Sequence, residues 1–381
     1  MRYREVGDTG IEVSVLGFGT MRYKSGENAA EIIHRGLELG MNYFDIGSAY
    51  SWDSYEENAE TWTGRAIKDV NREDVVLSAK AQVRPGEERH ERAEANIGIR
   101  NRDEMWMSIE NSLDRVGVDY FDFYQFWDLS KPEDFETARN GDDSPLQAMR
   151  EAQEQGLVKH LGFTSHAQAD EIISWLDQVP DFRTITVYYN FLGRYCEKVL
   201  DYAQENDIGV KIMGPLRGGL LTGKSEVFSK HLPELADAPV QEVAFRFLQS
   251  HPGISTILSG MNEIAHLEQN VDIVSSGDMM SGDQRDAFIE AFQEFSKGQP
   301  LCTGCRYCLG ACPQNLAIYQ LMGLYQASEI FGLENARQQI ENLSGENKDP
   351  SRCVDCEECI EVCPQSLPIA ERMDKLAEII G

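Results

Sequence analysis

The sequence predicts an α/β protein: a (β/α)8 TIM barrel over residues 1–283, followed by a small, mainly helical domain over residues 284–381. Three observations lead there. Short apolar runs rich in β-branched and aromatic residues alternate with amphipathic stretches through residues 1–295. The runs number eight, the count that closes a barrel of parallel strands. Beyond them, eight of the nine cysteines fall into two copies of one spacing, Cys302-x2-Cys305-x2-Cys308-x3-Cys312-Pro313 and Cys353-x2-Cys356-x2-Cys359-x3-Cys363-Pro364.

The expected strands, in chain order, are VLGFGT (15–20), NYFDI (42–46), VVLSAK (75–80), FDFYQF (121–126), VKHLGFT (158–164), TITVY (184–188), GVKIM (209–213) and STILSG (255–260). Helical periodicity fills the intervals. In 27–39, Ala30, Ile33 and Leu37 share one face, and 103–116, 146–155, 169–176, 198–205 and 240–249 read alike. The stretch 56–68 is a further helical candidate, and 263–274 follows the last strand. The charged, aperiodic segment 84–102 reads as a surface insertion, and 128–143 as a second excursion between strand and helix. In a barrel such loops lie at the active-site mouth.

Residues 275–283, SSGDMMSGD, read as a connector, and 284–295 as a helix leading into the cysteine domain. The cysteine spacing is the ligand run of a two-cluster bacterial ferredoxin. Three cysteines of a run wrap one [4Fe–4S] cube, and the fourth, before proline, reaches the other. That pattern assigns Cys302, Cys305, Cys308 and Cys363 to one cluster, and Cys353, Cys356, Cys359 and Cys312 to the second. Zinc sites use paired ligands, and disulfides belong to oxidising compartments; neither fits as well. The runs are separated by residues 313–352, too many for a compact ferredoxin hairpin; helical patterns at 316–325 and 333–343 make the tail mainly helical. Cys196 stands alone and reads as an inert core thiol.

The 381 residues include 64 acidic and 35 basic, for a net charge of −29, and 41% are hydrophobic, enough for a sizeable core. Such a surface repels nucleic acid and anionic membranes. It favours solubility, and the protein partner it suits is a basic redox protein. No run approaches a membrane span, and MRYREVGDTG has no apolar signal core, so the expected location is the reducing cytoplasm.

Three titratable side chains fall at carboxyl ends of expected strands, where barrel enzymes place catalysis. Asp45 ends the second strand, Tyr50 follows it, and Lys80 ends the third. A buried ion pair beside a core tyrosine is the plainer reading.

The chain resembles the aldo-keto reductases in YREVGDTGIEVSVLGFGT (3–20), YFDIGSAY (43–50), VDYFDFYQ (118–125), GLVKHLGFTSH (156–166), GPLRGG (214–219) and LSGMNEIAHLEQN (258–270). With its cysteine tail it resembles the iron–sulfur branch of that family. The resemblance implies a nicotinamide cofactor held without a Rossmann fold, and no G-x-G-x-x-G follows a strand here. It implies Tyr50 as general acid/base, Lys80 as its electrostatic tuner and Asp45 as orienter. A phenol has a pKa near 10, and an adjacent ammonium lowers it. The chain departs from the family at YQFW, where Trp127 replaces the usual His. An indole donates one N–H and does not titrate. It either receives a conjugated or cyclic substrate or merely fills space.

By position, Thr164 and Ser165 resemble the pair facing the nicotinamide amide, with Asn190 nearby and Thr186 where Gln is usual. Gly214, Pro215, Leu216, Arg217 and Gly218, with Lys224, resemble the loop around the pyrophosphate; glycines admit close approach, and the cations supply charge. Gly260, Asn262, His266 and Asn270 resemble the adenosine end. Loop or cap duty is the plainer reading of each, for Asn262 as a helix N-cap. The resemblance favours NADP over NAD.

The expected function is therefore nicotinamide-dependent oxidation or reduction of a small molecule, with two [4Fe–4S] clusters in the tail. The alternative is an electron-transfer or nucleotide-sensing subunit whose barrel binds a redox partner without turnover.

Overall fold

An antiparallel hairpin, β1 (Tyr3–Glu5) and β2 (Glu12–Ser14), opens the chain. Its strands are too short to leave an alternation signal, and the sequence reading passed over them. The hairpin has a clear task. Val6 and Val13 join Tyr43, Val76, Phe123 and Leu258 in one buried cluster, so it closes the amino-terminal end of the barrel.

All eight expected runs are strands: β3 (Leu16–Gly19), β4 (Tyr43–Asp45), β5 (Val76–Val83), β7 (Phe121–Phe126), β8 (Val158–Ser165), β9 (Phe182–Tyr188), β10 (Gly209–Met213) and β11 (Ile254–Ser259). They pair in parallel in the order β4-β3-β11-β10-β9-β8-β7-β5, and β4 pairs with β5 to close the ring. All six residues of FDFYQF are buried, so the strand is covered on both faces, its polar Asp122 and Gln125 included.

Helices α1 (Gly26–Glu38), α2 (Ala59–Ile67), α3 (Arg102–Val116), α5 (Pro145–Glu154), α6 (Ala169–Gln178), α7 (Glu197–Glu205), α8 (Val240–Gln249) and α9 (Ile264–Ser275) answer the helical patterns. Local chemistry sets their starts. Ser25 accepts from Asn28 N–H, Asn58 and Thr61 form a capping box, and Asn101 accepts from Glu104 N–H. Two excursions hold more structure than expected. Segment 128–143 contains α4 (Pro132–Arg139), which begins on its proline, and 84–102 contains β6 (Ile97–Ile99), which extends the sheet beside β5.

The computed structural model describes residues 1–84, 95–219, 221–223, 235, 237–297, 302, 307–331, 346–363 and 366–380. The expected helix at 333–343 lies outside them. The chain divides into two units, Met1–Tyr189, Cys196–Pro215 and His251–Asp278 in one, and Asn190–Tyr195, Leu216–Ser250 and Met279–Gly381 in the other. The first holds the barrel strands. The second contains α8, α10 (Gly282–Lys297), α11 (Ile318–Phe331), α12 (Glu358–Glu361) and α13 (Ile369–Ile380). Within it, Phe191, Phe247, Phe288 and Phe292 form an aromatic cluster with centroids 5.1–6.3 Å apart. Helix α11 packs on α13, where the Arg372 guanidinium lies 5.1 Å from the Tyr325 ring. Among the described residues no helix is long and apolar enough to cross a membrane.

Candidate active site and iron–sulfur site

Strands β4 and β5 end side by side, with Asp45 opposite Ser78 in register. Period-two alternation then puts Ser78 and Lys80 on one face. The Lys80 ammonium is ion-paired with Asp45, and their side chains are 3% and 5% exposed. The Lys80 Nζ lies 4.9 Å from the centroid of the Tyr50 ring and 5.8 Å from that of Trp127. Tyr50 and Trp127, both half-buried, meet edge-on with centroids 5.1 Å apart. The fold thus gathers all four side chains singled out in the sequence. Gly47 makes room for this: a Cβ there would stand 3.1 Å from Lys80 Cε and 3.2 Å from the Tyr50 ring.

A second set of polar groups was missed. Gln125 donates to Ser78 Oγ (2.8 Å) and approaches Asp45 Oδ2 (3.4 Å), and Thr186 donates to Gln125 Oε1 (2.9 Å). These buried side chains form a column leading from β9 to the Asp45 carboxylate. A signal was available: Gln125 lies two residues before Trp127, so the two share a strand face.

Charge does not follow the simple expectation. Burial of its hydroxyl raises the Tyr50 pKa above 10, and the opposing pull of Lys80 is smaller. The expected net lowering is therefore corrected; desolvation outweighs the ammonium. Burial also works against the Lys80 ammonium, but attraction to Asp45 and Tyr50 outweighs it, and the Lys80 pKa is raised. The site thus holds a permanent cation beside a weakly acidic phenol.

The residues matched to cofactor contacts are mostly engaged internally. Thr164 Oγ1 accepts from Asp128 N–H (2.8 Å), and Ser165 Oγ donates to the Leu129 carbonyl (2.5 Å), so both lace the loop after β7 to the end of β8. Gly214, at φ +69, lies against Tyr188, whose ring a Cβ would strike at 2.3 Å. Pro215 is buried beside it in sequence. At the end of β11, exposed Gly260 lies under Arg22, whose Cγ would be 2.6 Å from a Cβ. Asn262 is not the N-cap of α9. That position is Glu263, whose side chain makes no cap hydrogen bond. His266 is exposed, whereas Asn270 is buried and donates to Ser259 Oγ (3.3 Å). In the second unit, Asn190 Oδ1 accepts from the N–H groups of Leu192 and Gly193 (3.1 and 2.9 Å). Leu216, Arg217 and Gly218 make a tight turn, with Arg217 at φ +49 and Gly218 at φ +72. Lys224 lies outside the described residues.

Cys312, Cys353, Cys356 and Cys359 line one pocket, walled by Leu316, Ile318, Ile369, Ala370 and Met373. This is the crossed quartet read from the spacing: three thiols from the second run and one from the first. The donor set fits a cube with four thiolate ligands in an apolar pocket. Burial, with its cysteine neighbours, pushes the Cys359 thiol up to about 11, so the thiolate needs a cation beside it. In the other quartet Cys302 and Cys308 are buried and Cys363 is half-buried; Cys305 lies outside the described residues. The Gln326 carboxamide on α11 pairs with the Cys302 backbone N–H and carbonyl (2.9 and 3.2 Å). Cys196 is buried, with its Sγ 3.9 Å from the Ala167 carbonyl.

Comparison with known proteins agrees with this geometry. Residues 15–280 match the Aldo/keto reductase family, and residues 301–367 match the 4Fe-4S dicluster domain. The uncharacterized oxidoreductase YqkF of Bacillus subtilis is 24% identical over 299 residues, 72% of this chain and 92% of that protein. The aldo-keto reductase YhdN of the same organism is 30% identical over 59% of this chain and 65% of its own length. The solved aldo-keto reductase AKR11C1 from Bacillus halodurans shares the fold at a TM-score of 0.61 and 24% identity, covering 76% of this chain and 96% of its own. Barrel, cysteine domain and relatives define an oxidoreductase with an appended 4Fe–4S domain. The chain belongs to the aldo/keto reductase family.

Proposed function

We propose that the protein is a nicotinamide-dependent oxidoreductase, with its barrel in residues 1–283 and two [4Fe–4S] clusters in residues 284–381. Tyr50 serves as its acid/base. The observation that carries this reading is the buried Asp45–Lys80 ion pair, with its ammonium against the half-buried Tyr50 ring.

When bound, the nicotinamide supplies or accepts the hydride and the clusters pass single electrons. The chain's own residues manage the proton. The Tyr50 hydroxyl gives a proton to the substrate oxygen or takes one back. Lys80 stabilises the phenolate left behind, and Asp45 keeps the ammonium aimed. Gln125, Ser78 and Thr186 hold Asp45 in place. Thr164, Ser165, Asn190, Gly214, Pro215, Leu216, Arg217, Gly218, Lys224, Gly260, Asn262, His266 and Asn270 are assigned to an NADP or NAD molecule by the family resemblance. The Trp127 indole beside Tyr50 favours a conjugated or cyclic substrate over a small aliphatic carbonyl.

The cluster side suits a basic redox protein as electron partner. Cys356 is exposed, Val354 and Val362 are 56% and 43% exposed, and Asp355, Glu357, Glu358 and Glu361 surround them in sequence. We assign the protein to a reducing cytoplasm, the compartment that suits oxygen-sensitive clusters and thiolate ligands.

Anaerobic holoprotein titrated with NADPH and NADH, then offered aromatic and aliphatic carbonyls, tests the assignment. Tight binding with turnover that Tyr50→Phe abolishes supports it. Trp127 in the usual His position favours one rival, a nucleotide-sensing or electron-transfer subunit, and binding without any turnover would establish that rival.

A further inference from the structure

Lys211 is the buried charge that the proposed chemistry leaves unused. It sits in the middle of β10, is 0% exposed, and its Nζ has no hydrogen-bond partner among the described residues. A buried lysine without a carboxylate against it is costly unless it gives up its proton. The site places an amine between aromatic rings instead. Nζ is 4.8 Å from the centroid of Phe123 and 5.8 Å from that of Tyr43. Its register neighbours are Thr186 on β9 and Thr256 on β11. Both hydroxyls are committed elsewhere, Thr186 to Gln125 Oε1 and Thr256 to the Ser14 carbonyl.

The charged groups that act on Lys211 are those of the proposed active site. Asp45 of β4 attracts its proton, and Lys80 of β5 repels it. Tyr43, also of β4, presents a phenol kept neutral by burial. Phe123 of β7, Thr186 of β9, Thr256 of β11 and Gly17 of β3 bring no charge. His160 of β8 stacks beside Phe123 at 5.6 Å and answers to Asp122 and Asp8.

We propose that Lys211 is a positioning residue for the acid/base tyrosine: its amine gains and loses a proton inside the barrel and thereby sets how firmly Asp45 holds Lys80. With Lys211 neutral, Asp45 and Lys80 cancel each other's charge, and burial keeps Tyr50 a weak acid. With Lys211 protonated, the Asp45 carboxylate, still paired with Lys80, also feels a second cation through the barrel interior. The cluster then carries one net positive charge, and Lys80 is freer to stabilise a phenolate at Tyr50. The coupling is reciprocal, so negative charge on Tyr50 draws a proton onto Lys211. Burial, opposed by Asp45 and aided by Lys80, brings the Lys211 pKa down to about 7. A group titrating there supplies a response near neutrality that Tyr50, raised above 10, lacks.

This rests on Tyr50 being the acid/base, so the test reads the two side chains without turnover. Anaerobic holoprotein carrying 13Cε-lysine and 13Cζ-tyrosine is titrated by NMR, without cofactor or substrate, from about pH 5.5 to about pH 10, a range in which an ordinary lysine stays mostly protonated. Lys211→Met assigns the Lys211 signal, and Tyr50→Phe assigns that of Tyr50. The expected result is one lysine titrating near neutrality and a Tyr50 step at the same pH, the step absent from Lys211→Met. A Lys211 signal that stays constant over the range overturns the proposal, as does a Tyr50 step that survives the substitution. If Lys211→Met does not fold, Lys211→Gln serves the same comparison. Absence of nicotinamide turnover would sink the functional reading but would leave these titrations unaltered, so the two failures are distinguishable.

Discussion

Trp127 meets Tyr50 edge-on, with ring planes 72° apart and centroids 5.1 Å apart, on the side of the tyrosine that the Lys80 ammonium also faces. The indole therefore shapes the space beside the proton donor. Trp127→His replaces bulk by a titrating donor. Reduction of small aliphatic carbonyls is expected to rise by about 10²-fold, the usual contribution of a placed acid/base group. Reduction of aromatic carbonyls is expected to fall. Paired steady-state assays of cofactor oxidation check this, and an equal change for both substrates would contradict a role in selectivity.

Tyr50→Phe keeps the ring against Trp127 and removes the transferable proton. Turnover is expected to drop by about 10²–10⁴-fold, with the cofactor dissociation constant unchanged. Fluorescence titration and single-turnover kinetics separate the two quantities. Retained turnover would remove Tyr50 from the chemistry.

Lys80→Met leaves the Asp45 carboxylate buried without its cation, at a cost of about 3–5 kcal/mol. Asp45→Leu in the same chain removes the stranded charge, so the double variant is expected to unfold at a higher temperature than Lys80→Met alone. Calorimetry on the wild type, the two single variants and the double variant decides, and additive effects would mean that the pair is not coupled.

Cys312 belongs to the first cysteine run but lines the cavity of the second. Cys312→Ser is therefore expected to damage the same cluster as Cys356→Ser, each losing up to roughly half of the iron of a two-cluster protein. Iron analysis with EPR of the reduced proteins checks the match. Different residual signals in the two variants would refute the crossed assignment.

Lys211 also makes a prediction about stability. Its folded pKa, about 7, lies below the ordinary lysine value of 10.5, so between the two the unfolded chain binds more protons. Its contribution is fully favourable above pH 10.5, shrinks as pH falls, and is lost below about 7. Relative to Lys211→Met, the wild-type melting temperature is expected to rise across that window. Parallel melting curves for the two would show that Lys211 does not titrate on unfolding.

The barrel was legible because its strands are short runs rich in β-branched and aromatic residues and its helices are amphipathic, local signals that survive without the fold. FDFYQF is a strand at the same bounds in sequence and structure. The short hairpin β1–β2 was not legible, since three-residue strands carry no period. Asp45, Tyr50 and Lys80 were visible because strand ends mark the mouth of a barrel, and Trp127 because the family resemblance expects His there. Gln125 and Lys211 were not singled out, and Thr186 was read only as a substituted cofactor contact, because their meaning depends on which strands stand across the interior.

By itself, the sequence determined the eight barrel strands and which cysteines share a ligand run, because periodicity and ligand spacing are properties of neighbouring residues. Only the tertiary structure decided the charge balance. Closing the ring desolvated the Tyr50 hydroxyl more than Lys80 relieves it, and placed Lys211 beside aromatic rings under the influence of Asp45 and Lys80. Desolvation and Coulomb interaction act through space, between residues far apart in the chain, and take their values only when the barrel is shut.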